Sequence, residues 1–140
     1  LDTFFIIENR GQELYKPKEK HHFCMYLNNE FYALYLRKSV INFTDALSKL
    51  DSQILYNTVL KPILGIQDLR NASKIVYSQN KSDSLELKTK VDTGEFKVSF
   101  GMLTTSINEL KEIVNTGLLM PPKTTYIEPK LRSALTIYEF

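Results

Sequence analysis

Two neighbouring stretches of the chain carry the alternation of apolar and polar positions that is typical of β-strands. In residues 23–27 large apolar side chains occupy every second position, and the apolar run 31–36 follows after Asn28 and Asn29. Asparagine tolerates the positive φ that a two-residue hairpin turn requires. The pattern therefore predicts an antiparallel hairpin that turns at Asn28-Asn29.

Helical spacing of apolar residues appears in the second half of the chain. A helix is predicted from Asp51, whose carboxylate can accept orphan amide hydrogens, to about Lys61, and another over residues 83–91. In the last helix Ser106 and Glu109 have the spacing of a capping box. Its apolar residues at helical spacing are Ile107, Leu110 and Val114, and Gly117 is placed to end it.

Short apolar segments around these elements complete the predicted fold. We expect strands over residues 3–7, 74–77, 95–100 and 135–140, and a solvated loop over residues 9–20. The order predicts an α+β domain in which a mixed β-sheet has an N-terminal antiparallel hairpin, followed by alternating helices and strands with helices covering at least one face. The last strand is expected beside residues 96–100.

Composition indicates a folded protein of one domain. Its 140 residues fit one domain over residues 1–140, and an apolar content of 43% excludes a disordered chain. Every purely apolar run is far shorter than the ~18 residues of a membrane span. A lone Cys24 excludes an internal disulfide, and its strand position favours a small buried side chain. We therefore expect a cytoplasmic protein without membrane contact.

The beginning of the chain bears on its partners. The first residue is Leu1, and a strand pattern follows directly. We therefore expect this chain to be the C-terminal part of a larger protein whose N-terminal part is its partner. The formal charge of +2 is too small to indicate a surface for nucleic acid.

One irregular segment near the C-terminus gathers groups suited to an anion. Prolines at 121, 122 and 129 stiffen it. Ammonium and guanidinium groups pair with phosphate or carboxylate, and hydroxyl groups add hydrogen bonds. The sequence predicts a phosphate-binding site made by Lys123, Thr124, Thr125, Glu128, Lys130, Arg132 and Ser133.

The anion segment and several other patterns also have a purely structural interpretation. The residues of the anion segment can also be a surface connection whose charges pair with Glu128 and solvent. The adjacent His21 and His22 enter a strand and point to opposite faces, so they do not converge on a metal ion. No metal site, Gly-rich phosphate loop or catalytic residue is identified. The aromatic residues at strand spacing favour core packing over base stacking: Phe23, Tyr26, Phe31, Tyr32 and Tyr35.

Several motifs occur in a fixed order in the second half of the chain. They are Leu50-Asp51, Leu60-Lys-Pro-Ile-Leu-Gly-Ile66, Val91-Asp92-x-Gly94-Glu95, Thr105-Ser106-Ile-x-Glu-Leu110 and Met120-Pro-Pro-Lys-Thr-Thr-Tyr-Ile-Glu-Pro-Lys-Leu-Arg-Ser133. Together they resemble the C-terminal part of the domain-of-unknown-function 1015 family of bacterial cytosolic proteins. The resemblance covers about residues 51–140.

The resemblance implies a site and leaves the activity open. Members typically carry an Asp-Gly-His-His-Arg motif before this region, and it is absent here, while Ala134 stands where the family usually has Gly. We expect one wall of a cleft for a phosphorylated small molecule or nucleotide, with Mg²⁺, in a small-metabolite kinase. The chain alone is then inactive. The alternatives are a non-catalytic interaction domain and, by analogy with partition proteins, a nucleic-acid-binding accessory domain.

Overall fold

A computed structural model describes residues 1–69, 75–78 and 84–121 of the chain. Within these residues the strands are β1 (Phe5–Gly11), β2 (His22–Leu27), β3 (Glu30–Leu36) and β4 (Val98–Gly101). The helices are α1 (Asp51–Leu55), which continues into a π-helical segment (Tyr56–Leu60), α2 (Ser84–Asp92) and α3 (Ile107–Asn115). The predicted α+β class is confirmed.

The four strands form one sheet in the order β1-β3-β2-β4. All pairings among the described residues are antiparallel, where a mixed sheet was expected. Asn28 and Asn29 adopt φ of 50° and 63°, so the predicted hairpin turn is confirmed. The strand predicted over residues 135–140 lies outside the described residues, and β4 pairs with β2.

Three local predictions need correction. The predicted loop from residue 9 is too long, because β1 continues to Gly11 through a bulge next to Asn9. Residues 75–77 form no strand in the described structure, and Val76 stays half exposed, because a short apolar run needs a partner strand. The strand predicted from residue 95 starts only at Val98, since the amide of Phe96 donates to the carbonyl of Lys90 at the end of α2 (3.1 Å).

The core lies on the sheet face that α1 and the π-helical segment cover. Phe5 and Phe23 meet edge to face with their ring centroids 5.6 Å apart. The other face is partly covered by α2, whose Val91 packs against a smaller cluster around Tyr26. Helices thus cover both faces in part, where the prediction was that they cover at least one. The main core consists of Phe5, Phe23, Met25, Leu34, Ile54, Leu55 and Val59.

Helix α1 begins differently from the prediction. Its N-cap is Leu50, and no side chain caps it. The Asp51 carboxylate accepts hydrogen bonds from His21 instead. In the π-helical segment the amide of Lys61 reaches back five residues to the carbonyl of Tyr56 (2.9 Å), so the helix widens before Pro62. No helix of the described residues is long and apolar enough to cross a bilayer.

Helix α3 confirms its predicted caps but not its predicted face. The Ser106 hydroxyl and the Glu109 carboxylate form the reciprocal capping box, and Gly117 adopts φ of 71°. However, Ile107 is 70% exposed, whereas Ile113 is fully buried. Leu110 lies three residues from both Ile107 and Ile113, so helical spacing alone does not tell which of the two is buried. The packing of α3 against the rest of the chain selects Ile113.

Removing the cap should weaken the fold measurably. We expect Ser106→Ala to lower the free energy of unfolding by about 1 kcal/mol, because the amide of Glu109 loses its acceptor. Ser106→Thr keeps an acceptor and should stay close to the wild type. Urea denaturation followed by circular dichroism measures both variants, and an equal loss in both would contradict the capping role.

Candidate functional site

The seven residues of the predicted anion site lie outside the described residues. They are Lys123, Thr124, Thr125, Glu128, Lys130, Arg132 and Ser133, and their joint site stays a prediction. The described chain ends at Pro121, beside a shallow depression of about 190 Å³. Tyr56 and Gln67 line this depression, and the Tyr56 hydroxyl donates to the Gln67 carbonyl (2.6 Å). The segment thus starts next to the π-helical segment.

A larger cavity, which we call the loop cavity, lies between the segment after β1 and the sheet. Its volume of about 500 Å³ is in the range of small-molecule sites. Its walls combine aromatic rings with charges of both signs. They consist of Arg10, Glu13, Leu14, Tyr15, Lys16, Lys18, Glu19, His22 and Tyr35.

Strand register brings two rings of the loop cavity together. His22 and Tyr35 are direct partners across the β2-β3 pair, so their side chains share one face. Their rings meet edge to face with centroids 4.8 Å apart. The Tyr15 ring adds a third wall, 6.0 Å from that of Tyr35, and its hydroxyl lies 3.5 Å from His22 Nδ1. The cavity therefore offers aromatic surface together with polar edges.

The Arg10 guanidinium is held at the edge of the same rings. Its Nη2 lies 3.2 Å from Glu8 Oε2 and donates to the Tyr35 hydroxyl at 3.5 Å. Its Cζ sits 5.6 Å from the centroid of the Tyr15 ring, a cation–π distance. The Nε of Arg10 is shielded from solvent and makes no hydrogen bond with the described part of the chain. One donor of this guanidinium is thus buried without a hydrogen bond among the described residues.

The Tyr15 hydroxyl keeps its proton and can act as a hydrogen-bond donor. Burial, together with the neighbouring Tyr35, raises the pKa of Tyr15 to about 12. The phenol therefore stays protonated throughout the neutral range. It can donate to an acceptor in the cavity, whereas Glu13 and Glu19 can accept from a hydroxyl or amine.

The two adjacent histidines have separate partners, as their predicted divergence requires. His22 borders the loop cavity, while His21 contacts Asp51 and stacks on Phe43. Cys24 is buried, as its strand position predicted, and burial raises the pKa of its thiol to about 11. No group of three or more metal-ligating side chains occurs among residues 1–69, 75–78 and 84–121.

The sequence contained a signal for part of the loop cavity. A two-residue turn at Asn28-Asn29 fixes the register of the hairpin, and that register places His22 opposite Tyr35. No local pattern indicated Arg10 or Tyr15, because they reach the cavity through the path of the loop. Of the aromatic stripe, Phe23, Tyr26 and Phe31 are core residues, and Tyr35 lines the cavity.

Comparisons of this chain with protein-family models, with curated proteins and with solved structures find no match. The resemblance drawn from the motifs therefore stays a prediction, and the geometry of the site carries the functional argument.

Proposed function

We propose that this domain binds a phosphorylated small molecule, most simply a nucleotide, in the loop cavity and forms one wall of a ligand cleft in a cytoplasmic protein. The proposal rests on one observation: three aromatic rings and three cationic side chains line one cavity of about 500 Å³. A nucleotide needs both surfaces, since its base stacks and its phosphates require positive charge.

The rings support binding of the planar part of such a ligand. The Tyr35 ring meets those of Tyr15 and His22 edge to face, so neither pair is stacked in parallel. Stacking of a base on an aromatic face contributes about 1–3 kcal/mol. A planar base is thus the group that these walls favour.

The charges support binding of the phosphate and of hydroxyl groups. Arg10, Lys16 and Lys18 supply three positive charges, and Glu13 and Glu19 supply two negative ones. Inorganic phosphate would be attracted by the three cationic side chains and repelled by the two carboxylates. A nucleotide can use both, because ribose hydroxyls donate to carboxylates in many nucleotide sites.

The test is the binding of ADP, measured by calorimetry and by thermal shift. We expect the double variant Lys16→Gln/Lys18→Gln to bind ADP at least tenfold more weakly, because a hydrogen bond to a charged group contributes about 1.5–3 kcal/mol. Ribose 5-phosphate and inorganic phosphate should bind progressively more weakly than ADP, since each lacks one set of contacts.

A matched control is the double variant Lys38→Gln/Lys97→Gln, which removes the same charge at positions outside the cavity walls. It should retain the wild-type affinity. Equal losses in the two double variants, or no binding of ADP at millimolar concentration, would overturn the proposal.

The wider proposal is that the intact protein is a phosphotransferase acting on a small hydroxylated metabolite, with Mg²⁺ bound by the nucleotide. Phosphoryl transfer depends on positioning and on charge stabilisation, which cationic side chains supply. The predicted segment with Lys123 and Arg132 is a second source of cations for the same ligand class. Loss of ADP binding in Lys123→Ala, with Lys16→Gln/Lys18→Gln unaffected, would assign the ligand to that segment instead.

Two other functions remain outcomes of the same measurements. Binding to nucleic acid would appear as retention of DNA that falls steeply with salt. The formal charge of +2 disfavours it, because phosphate-tracking proteins concentrate far more positive charge. A non-catalytic interaction domain would bind none of the three small molecules.

A further inference from the structure

His21 and Asp51 form a contact that has no part in the walls of the loop cavity. Asp51 is the first residue of α1 and is only 2% exposed. Its Oδ1 accepts a hydrogen bond from the backbone amide of His21 (2.9 Å) and lies 3.1 Å from His21 Nδ1. One carboxylate oxygen therefore holds both the backbone and the ring of the same histidine.

The His21 imidazole is fixed from further directions. Its ring stacks on Phe43 with centroids 5.2 Å apart and an angle of 24° between the planes. Its carbonyl accepts a hydrogen bond from the Leu36 amide (3.0 Å), and its φ of 67° is a conformation that a residue with a Cβ rarely adopts. Non-glycine residues held in this conformation are concentrated at functional sites. The contacts with Asp51 and Phe43 thus orient the ring, and the backbone that carries it is held separately.

The contact with Asp51 assigns roles to the two ring nitrogens. A carboxylate oxygen accepts, so Nδ1 carries the hydrogen, and in the neutral ring Nε2 then has the free electron pair. The His21 side chain is 30% exposed, and its Nε2 makes no hydrogen bond within the described residues. The Oδ2 of Asp51 is buried and likewise makes none with the described part of the chain.

The nearby charge of Lys20 does not displace His21 as the partner of Asp51. Lys20 Nζ lies 2.8 Å from Glu109 and donates to the Thr104 carbonyl at 3.2 Å, so it is held at the start of α3. Burial raises the pKa of Asp51, while the His21 amide and the charge of Lys20 oppose that rise. Asp51 thus has His21 as its direct partner.

We propose that Asp51 and His21 form an acid–base dyad, in which Nε2 of His21 withdraws the proton from a hydroxyl group or a water molecule at the surface beside Phe43. The O–H bond breaks, its proton passes to Nε2, and the oxygen keeps the electron pair. Asp51 stabilises the imidazolium and holds the ring. The proposal uses none of the residues of the loop cavity, so the two proposals can fail separately.

The first test is the protonation state of the ring. The chain has two histidines, so His22→Gln leaves His21 as its sole imidazole. Long-range proton–nitrogen NMR correlations of this variant at pH 8 should show hydrogen on Nδ1 and none on Nε2. The opposite tautomer, with hydrogen on Nε2, would overturn the proposal.

The second test is the reactivity of Nε2 toward diethyl pyrocarbonate. The nitrogen forms a bond to the carbonyl carbon, and ethyl carbonate leaves. In the His22→Gln background, Asp51→Asn should slow this reaction at least about tenfold, by analogy with the effect of removing a residue that orients a metal-binding histidine. Asp2→Asn, at an exposed aspartate, is the matched control and should leave the rate unchanged.

A purely structural role of Asp51 predicts a different result. In Asp51→Asn the new amide oxygen would accept the same hydrogen bonds and keep the ring in place, so the rate would stay within about twofold of its starting value. That outcome, with circular dichroism showing an intact fold, overturns the dyad. If Asp51→Asn unfolds the chain, the tautomer of His21 in His22→Gln still tests the proposal, because hydrogen on Nε2 would overturn it.

Discussion

Replacement of Leu34 by Ala is expected to lower the free energy of unfolding by about 2–5 kcal/mol. Leu34 is fully buried in the central strand β3, between Ile7 of β1 and Phe23 of β2. Truncation removes its contacts in the main core and leaves a cavity that the paired strands cannot close. Urea denaturation followed by circular dichroism measures the effect.

Leu119→Ala is the matched control, because Leu119 is 77% exposed. We expect it to change the free energy of unfolding by less than about 0.5 kcal/mol. Leu34→Met keeps most of the volume and should cost less than about 1.5 kcal/mol, which separates the cavity from a general intolerance of the site. Equal effects of the two alanine variants would show that the core is elsewhere.

The second large effect is a loss of stability at alkaline pH caused by Cys24. The thiol has a pKa of about 11 in the folded chain, against 9.0 for its unperturbed value, because burial disfavours the thiolate. Between these values the unfolded chain releases the proton and the folded chain keeps it, so rising pH favours unfolding. We expect Cys24 to account for a loss of about 2 kcal/mol between pH 8 and pH 11.

Cys24→Ala isolates this contribution from the other groups that titrate in the same range, Tyr15 among them. The wild type should lose about 2 kcal/mol more than Cys24→Ala over that interval, whatever the difference between the two proteins at pH 8. Parallel stability curves would show that the folded thiol ionises as easily as the unfolded one, and the buried position of Cys24 would then be wrong.

Much of the fold followed from the sequence because its signals are local. The hairpin turn at Asn28-Asn29 and the capping box at Ser106 each depend on residues within a few positions of one another. The prediction of a strand over residues 74–77 was wrong for the described residues 75–77, because pairing requires a partner that local pattern does not reveal. The same applies to α3, where the sequence could not distinguish Ile113 from Ile107 as the buried residue.

The candidate sites also differ in whether the local sequence could reveal them. The anion site centred on Lys123 and Arg132 was inferred from a contiguous segment, and it remains a prediction because those residues lie outside the described structure. The loop cavity and the dyad join residues that are distant in sequence. His21 and Asp51 are separated by 30 positions, and Asp51 was expected only to cap its own helix.

The sequence by itself determined the α+β class, the hairpin and the caps of α3, because turn chemistry and apolar periodicity act over a few residues. Tertiary structure alone decided that Arg10 and Tyr15 meet His22 and Tyr35, and that the Asp51 carboxylate turns to His21. Those contacts depend on how the loop and α1 pack against the sheet. Burial and charge at a site are set by that packing, which no short segment encodes.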